Sequence, residues 1–503
     1  MDLVVIFNTR GALLSVSSVS SADNGPRSPP VHILDDYSLL NMFSFCRPAL
    51  LDESEVDNDR FLEGGEWHRE RWWYRLVHVC RRWRYLVLGS TSYLHLSLVC
   101  TRGTPVADML AHSPSLPLVI DHHIDKYHDI TAEDEEGIVL ALQHRDRVRR
   151  IRLKKSVPIL QRLIDALDSE FPILEFLLIE HQRYQWPAVE QNTSLYLPET
   201  FRAPHLRHFL LMSFAVQIGS PLLTTMGNLV TLSLNLIPPS AYFHPDALLQ
   251  RVSHMPQLEI LGILFNSHFP SRDIERQLLR TPITTRVTLP NLRWFGFQGA
   301  SAYLEALLPQ VTIPLLEKLQ VYFFNQLTYS VPHLQQFMSA AGDLRLNTLT
   351  LAFHYDFLEV MSYPHKEARM YTLSMSLGGR HLDWQVASAA QVFNQLKTVL
   401  SAVEHLTLKY DRRTKSSWYT EADRTQWREL LGSFAKVKTL FVSGDLVGQV
   451  SCALQPCEGE SPTELLPELQ QLSYSAIASS LNVFTPFIDA RQKAGRPVTM
   501  NLP

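Results

Sequence analysis

Apolar residues recur along most of this chain in one frame: a lead position, then two more at offsets of three and five, often with Pro two places before the lead. Clear copies are PILEFLLI (Leu174, Leu177, Ile179), PHLRHFLL (Leu206, Phe209, Leu211) and GNLVTLSL (Leu229, Leu232, Leu234). PQLEILGI (Leu258, Leu261, Ile263), PNLRWFGF (Leu292, Phe295, Phe297) and PLLEKLQV (Leu316, Leu319, Val321) repeat it. Weaker copies lead at Val148, Leu346, Val403 and Val437, PELQQLSY closes the series at Leu469, and Tyr93, Ser115 and Thr372 open degenerate ones. Side chains alternate across a strand with period two, so offsets three and five share one face and predict a short strand with that face in a core. Between frames the periodicity turns helical, as in 157–168, 246–255, 387–402 and 423–434.

Each unit is therefore a strand plus a helix. There are about fourteen units at a mean spacing of about 29 residues, the long end of the leucine-rich range. A single unit cannot bury its own apolar face, whereas stacked units share a continuous core. The expected fold is an α/β solenoid, an irregular leucine-rich-repeat array with parallel strands inside and helices outside. Spacings of roughly 22 to 34 residues predict variable loops. An ordinary α/β protein with a doubly wound sheet is the competing reading.

Two amphipathic segments precede the array. LDDYSLLNMFSFC (34–46) predicts a helix capped by Asp35 or Asp36, with Leu39, Leu40, Phe43 and Cys46 on its apolar face. EWHRERWWYRLVHVCRRWRYLVL (66–88) predicts one longer helix. At 100° per residue, Trp72, Leu76, Val79, Cys80, Trp83 and Val87 fall within an arc of about 100°, the width of one buried stripe, with Arg71, Arg75, His78, Arg81 and Arg82 on the other side.

Two such helices ahead of a repeat array resemble an F-box, the adaptor-docking module of Skp/cullin/F-box ubiquitin ligases. Leu34 matches the leading Leu of that pattern, and Leu39, Leu40, Phe43, Val79, Cys80 and Trp83 match its remaining apolar, Cys and Trp positions. Asp35 replaces the usual Pro, and an acidic insert (47–71) separates the helices. The wider resemblance, over about residues 32–503, is to the F-box proteins with divergent leucine-rich repeats of mushroom-forming fungi. It is carried by HVCRRWRYLVLGSTSYLHLSLVCTRGTPVADML, ARMYTLSMSLGGRHLDWQV and FIDARQKAGRPVT. The resemblance implies a flexible lead (1–31), an F-box-like module (32–90) and the solenoid (91–503). It also implies a Skp-type adaptor, through it a cullin, and an unknown target protein as partners, in the cytoplasm or nucleus. Leu34, Leu39, Leu40, Phe43, Val79, Cys80 and Trp83 are the expected adaptor-binding residues, with the arginines facing an acidic partner.

A target would meet the concave face, where offsets two and four from each lead point. These positions are His208, Leu210, Trp294, Lys318, Gln320, His405, Thr407 and Phe441, with Gln298 one step further along its strand. The dense basic run Arg149, Arg150, Arg152, Lys154 and Lys155 is either a solvated face or a cradle for an acidic or phosphorylated signal.

Composition narrows the alternatives. At 503 residues, 46% hydrophobic and 19% charged, with a formal net charge of −4, the chain offers no general attraction for nucleic acid or an anionic membrane. No window reaches the roughly 18 uninterrupted apolar residues needed to span a bilayer. Five scattered cysteines suggest no disulfide framework and fit a reducing compartment. DHHIDKYHD (121–129) holds three histidines but neither the paired spacing nor the Glu base of a zinc-protease helix. CALQPC (452–457) lacks a partner pair. No catalytic, metal or cofactor site is expected, and the chain reads as a receptor that does no chemistry. Two other classes remain: a repeat scaffold whose N-terminal helices only cap the array, and a hydrolase in an irregular α/β fold, which needs a deep pocket of convergent titratable groups.

Overall fold

The computed structural model describes residues 34–47, 71–113, 115–123, 131–181, 195–266, 280–342, 344, 346–365, 367–368, 370–410, 422–456, 461, 463–475 and 483–501. The lead, most of the acidic insert, His128 and Cys457 lie outside them. The chain forms two compact units, Met1–Asp121 and His122–Pro503. The first thus takes in the two strands that the frame at Tyr93 and Ser115 assigns to the array.

In that first unit the helix Asp36–Phe45 starts where the sequence predicts. Asp35 is its N-cap and accepts from the Ser38 amide at 2.8 Å. That bond holds the Asp35 carboxyl below the usual carboxylate range. The single helix expected over 66–88 is instead broken into Tyr74–Val77 and Arg81–Gly89. Cys80 stands between them with φ −158° and ψ 171°, extended rather than helical. A local side chain takes up an acceptor that the break frees. Arg84 Nε donates to the Val77 carbonyl at 3.0 Å, satisfying an acceptor that a continuous helix would have bonded internally. Trp73, not Trp72, is buried, and its Nε1 donates to the Ser97 carbonyl at 3.2 Å. Strands β1 (Leu98–Thr101) and β2 (Leu118–His123) pair in parallel, Leu98 opposite Leu118 and Thr101 opposite Asp121.

The second unit is an α/β array. Its strands are β3 (Val148–Lys155), β4 (Phe176–His181), β5 (His208–Met212), β6 (Thr231–Ile237), β7 (Ile260–Phe265), the short β8 (Val287–Thr288), β9 (Trp294–Gly299), the short β10 (Val311–Thr312) and β11 (Lys318–Phe323). There follow β12 (Thr348–Phe353), β13 (Phe357–Tyr363), β14 (Leu373–Gly378), β15 (His405–Tyr410), β16 (Thr439–Ser443), β17 (Gln471–Ser475) and β18 (Thr499–Asn501). The spatial order from β3 is β3-β4-β5-β6-β7-β9-β11-β14-β13-β12-β15-β16-β17-β18, and β8 pairs with β10 apart from it. The repeat frame therefore coincides with the strands.

The frame has a local cause. In most of the clear copies the lead amide donates to the carbonyl three residues back, as in Leu206 to Ala203, Leu258 to Met255 and Leu292 to Leu289, and the closing copy does the same from Leu469 to Leu466. This closes a turn in which Pro204, Pro256, Pro290 or Pro467 supplies the fixed φ of the second position. The strand then carries its inward pair into register with its neighbours. Ile151, Leu177, Phe209, Leu232, Leu261, Phe295, Leu319 and Leu373 form one continuous row. All are at most 3% exposed, so the interior of one repeat is completed only by the next. Burying each such side chain contributes about 1.5–3 kcal/mol. Helices such as Val157–Asp165, Pro245–Val252 and Arg424–Leu431 form where the periodicity predicts and bury Leu163, Leu249 and Leu430.

One expectation fails. The array is not wholly parallel, because β13 runs antiparallel to both β12 and β14. The chain passes β11, makes β12 three places further on, and returns through β13 to place β14 beside β11. In this hairpin Ser362 takes a place in the inward row between Leu349 and Leu373. Its hydroxyl, fully buried, donates to the Thr348 carbonyl at 3.1 Å, which satisfies a polar group that the core would otherwise penalise.

Candidate functional site

Two surfaces contain the residues singled out by sequence. On the first unit, the helix Asp36–Phe45 packs on Arg81–Gly89 through an edge-on contact of Phe43 and Trp83, with ring centroids 4.7 Å apart. Arg82 bridges to Asp36 at 2.7 Å and also donates to the Leu34 carbonyl at 2.6 Å. Leu39 and Phe43 are fully buried between these elements, so neither is free to meet another protein. Leu34, Leu40, Cys80 and Trp83 are half-buried, and Val79 is 57% exposed at the break between the two short helices.

The same helix presents a second apolar face. Tyr37, Met42 and Phe45 project outward, Phe45 at 88% exposed, and Tyr85 and Tyr93 are exposed elsewhere in the unit. Periodicity alone could not separate the two faces, because a helix apolar on most sides does not declare which side its own molecule uses. The exposed set was legible in composition but not in orientation. Arg75, Arg81 and Arg84 are also exposed here.

On the array, strand register assembles the predicted outward positions into rows. His208, Thr231, Ile260, Trp294 and Lys318 lie side by side on successive strands. Leu210, Ser233, Gly262, Gly296 and Gln320 form the next row. The expected exposure is only partly there: His208, Leu210, Trp294 and Gln320 are buried, while Gln298, Lys318, His405, Thr407 and Phe441 are half-buried. The cause is lateral packing within the rows. The Trp294 indole lies over the glycine floor at Gly262 and Gly296; a methyl on Gly262 would stand 3.2 Å from its Cζ3. His208 Nδ1 lies 3.1 Å from Thr231 Oγ1, and His405 Nδ1 lies 2.7 Å from Thr439 Oγ1, the same pairing at the same frame position. Lys318 Nζ stands 3.8 Å above the Tyr371 ring. The more open stretch runs through Met361, Thr407 and Phe441 on β13, β15 and β16.

The basic run is strand β3, not a solvated face. Arg149 pairs with Glu175 at 2.8 Å, Lys154 with Glu180 at 2.7 Å, and Arg150 stacks 4.9 Å over Phe176. Arg152 and Lys155 are buried. In DHHIDKYHD, Asp121 to His123 belong to β2 rather than to a loop, and 124–129 lie outside the described residues. Among the described residues no group of three His, Cys, Asp or Glu side chains is arranged to hold a metal ion. No described helix is long and apolar enough to cross a membrane.

These features define a class of fold, an array of α/β repeats with a mostly parallel sheet. Comparisons with known proteins add little to that. No family model matches the chain, and no curated protein does. Among solved structures, that of a TLR13–ssRNA13 complex aligns over 80% of this chain and 48% of its own, at 12% identity and a TM-score of 0.27.

Proposed function

We propose that the protein is the substrate-recognition subunit of a Skp/cullin/F-box ubiquitin ligase, docking a Skp-type adaptor through its N-terminal helices and a target protein through a leucine-rich-repeat array. The observation that carries this reading is the double-sided helix Asp36–Phe45. One apolar face is used internally by Leu39 and Phe43, while Tyr37, Met42 and Phe45 remain outside, with Val79 exposed at the neighbouring break. Exposed apolar groups of this kind beside Arg75, Arg81 and Arg84 suit an adaptor surface that is apolar at its centre and acidic at its rim. Within this reading the contact set shifts outward from Leu39 and Phe43 to Phe45, Tyr37 and Val79. The receptor performs no chemistry; holding a target near a charged conjugating enzyme raises the effective concentration of the reacting groups.

One observation favours a second reading, in which the helices only cap the array as part of a scaffold. The bond from Trp73 to the Ser97 carbonyl ties the second helical segment to the start of β1, an internal contact of the kind a cap makes. Co-purification with a Skp-type adaptor distinguishes the two. The Phe45→Ala/Val79→Ala double variant leaves the buried contacts intact and is expected to weaken adaptor capture by tens of fold, corresponding to about 2 kcal/mol or more. Capture equal to that of the unmodified chain, or none by either, supports the capping role.

A further inference from the structure

The residue that follows each lead forms a rim where the strands begin. Successive backbone bonds of 2.8–2.9 Å link Arg149, Glu175, Arg207, Val230, Glu259, Arg293 and Glu317 across β3 to β11. The charges alternate along this rim except at Val230. Toward one end Arg149 bridges to Glu175 at 2.8 Å, and at the other Arg293 bridges to Glu317. Flanking Val230, the side chains of Arg207 and Glu259 make no ion pair or hydrogen bond among the described residues. At that interruption the surface opens into a groove of about 470 Å³, with Ile173 and Val230 supplying its apolar lining, Asn228 and Gln257 its amides, and His205 and Glu175, the latter paired with Arg149, completing its wall.

We infer that this groove is a docking site for a peptide segment in the polyproline II conformation carrying an acidic and a basic residue three positions apart. Arg207 and Glu259 precede β5 and β7, two strand spacings apart, or about 9.5 Å. A polyproline II chain advances about 9.3 Å in three residues and returns to the same side at that period, so one peptide can place a carboxylate at Arg207 and an ammonium or guanidinium at Glu259. The apolar side chain between them, turned about 120° from either charge in that conformation, leans on the groove wall at Ile173, and the amides can both donate to and accept from the peptide backbone. The groove volume falls within the about 300–1,000 Å³ usual for ligand clefts. A uniformly acidic strand or peptide would place one of its charges against Glu259, which disfavours it.

The inference does not depend on adaptor docking, because its test reads peptide binding by the full chain alone. Fluorescein-labelled peptides with the core Asp-Leu-Ala-Arg, Glu-Leu-Ala-Glu or Lys-Leu-Ala-Lys, flanked by Gly and Ser, are titrated at low salt. The mixed-charge peptide is expected to bind at least tenfold more tightly than the other two. Arg207→Glu should transfer that preference to the dibasic peptide and Glu259→Lys to the diacidic one. Both sites are surface positions, and an unchanged melting temperature verifies that the variants fold. Equal affinity for all three peptides, no binding of any, or a preference that Arg207→Glu leaves unaltered overturns the inference.

Discussion

Phe43 and Phe45 are two residues apart on one helix, yet one is 1% exposed and the other 88%. Truncating each should separate folding from docking. Phe43→Ala removes the ring that packs on Trp83 and is expected to cost about 3–5 kcal/mol in chemical denaturation, whereas Phe45→Ala should stay within about 0.5 kcal/mol. A similar argument applies to the glycine floor of the array. A methyl added at Gly296 would overlap the Trp294 indole, so Gly296→Ala should destabilise by about 1–3 kcal/mol. Combining it with Trp294→Ala should cost much less than the sum of the two changes, and a double-mutant cycle by denaturation measures that coupling.

At the scale of an element, helix Pro332–Ala340 shows how an end is completed from elsewhere. Its N-cap Val331 has no side-chain acceptor. The carboxylate of Glu305, on helix Ser301–Leu307, instead accepts the amides of His333 at 2.7 Å and Leu334 at 2.9 Å. Burial raises the Glu305 carboxyl above its ordinary value, against the opposing pull of those two bonds. Glu305→Ala should therefore lose about 1 kcal/mol through the missing cap. The raised folded value also fixes the sign of a pH effect. Glu305's contribution to stability is greatest below the unfolded carboxyl value of about 4.3 and declines as pH rises through the folded one. Urea unfolding followed from pH 4 upward should show that decline in the unmodified protein and a flatter profile in Glu305→Gln.

On the scale of the molecule, the inward rows make the second unit a chain of nearest-neighbour dependencies. Leu232 on β6 stands between Phe209 on β5 and Leu261 on β7. Leu232→Ala should cost about 2–5 kcal/mol, and hydrogen exchange should lose protection first in β5, β6 and β7 while β16 and β17 hold theirs. Uniform loss across all strands would indicate an array that unfolds only as a whole.

Much of this organisation was legible before any coordinates. The offsets of three and five, with their preceding Pro, placed the strands because both the turn and the alternation of faces are local properties of a few consecutive residues. Helix Asp36–Phe45 and its Asp35 cap were equally local. The tertiary structure decided what depends on neighbours distant in sequence. It anchored Trp73 to the Ser97 carbonyl, 24 residues on, while the predicted 66–88 helix broke at Cys80. It reversed β13 within a series of parallel strands, and it buried His208 beside Thr231 and Trp294 over the glycine floor of Gly262 and Gly296. Periodicity specifies which side of an element is apolar; which of two apolar sides is buried, and how far a polar row closes on itself, follows only once the neighbouring elements are in place.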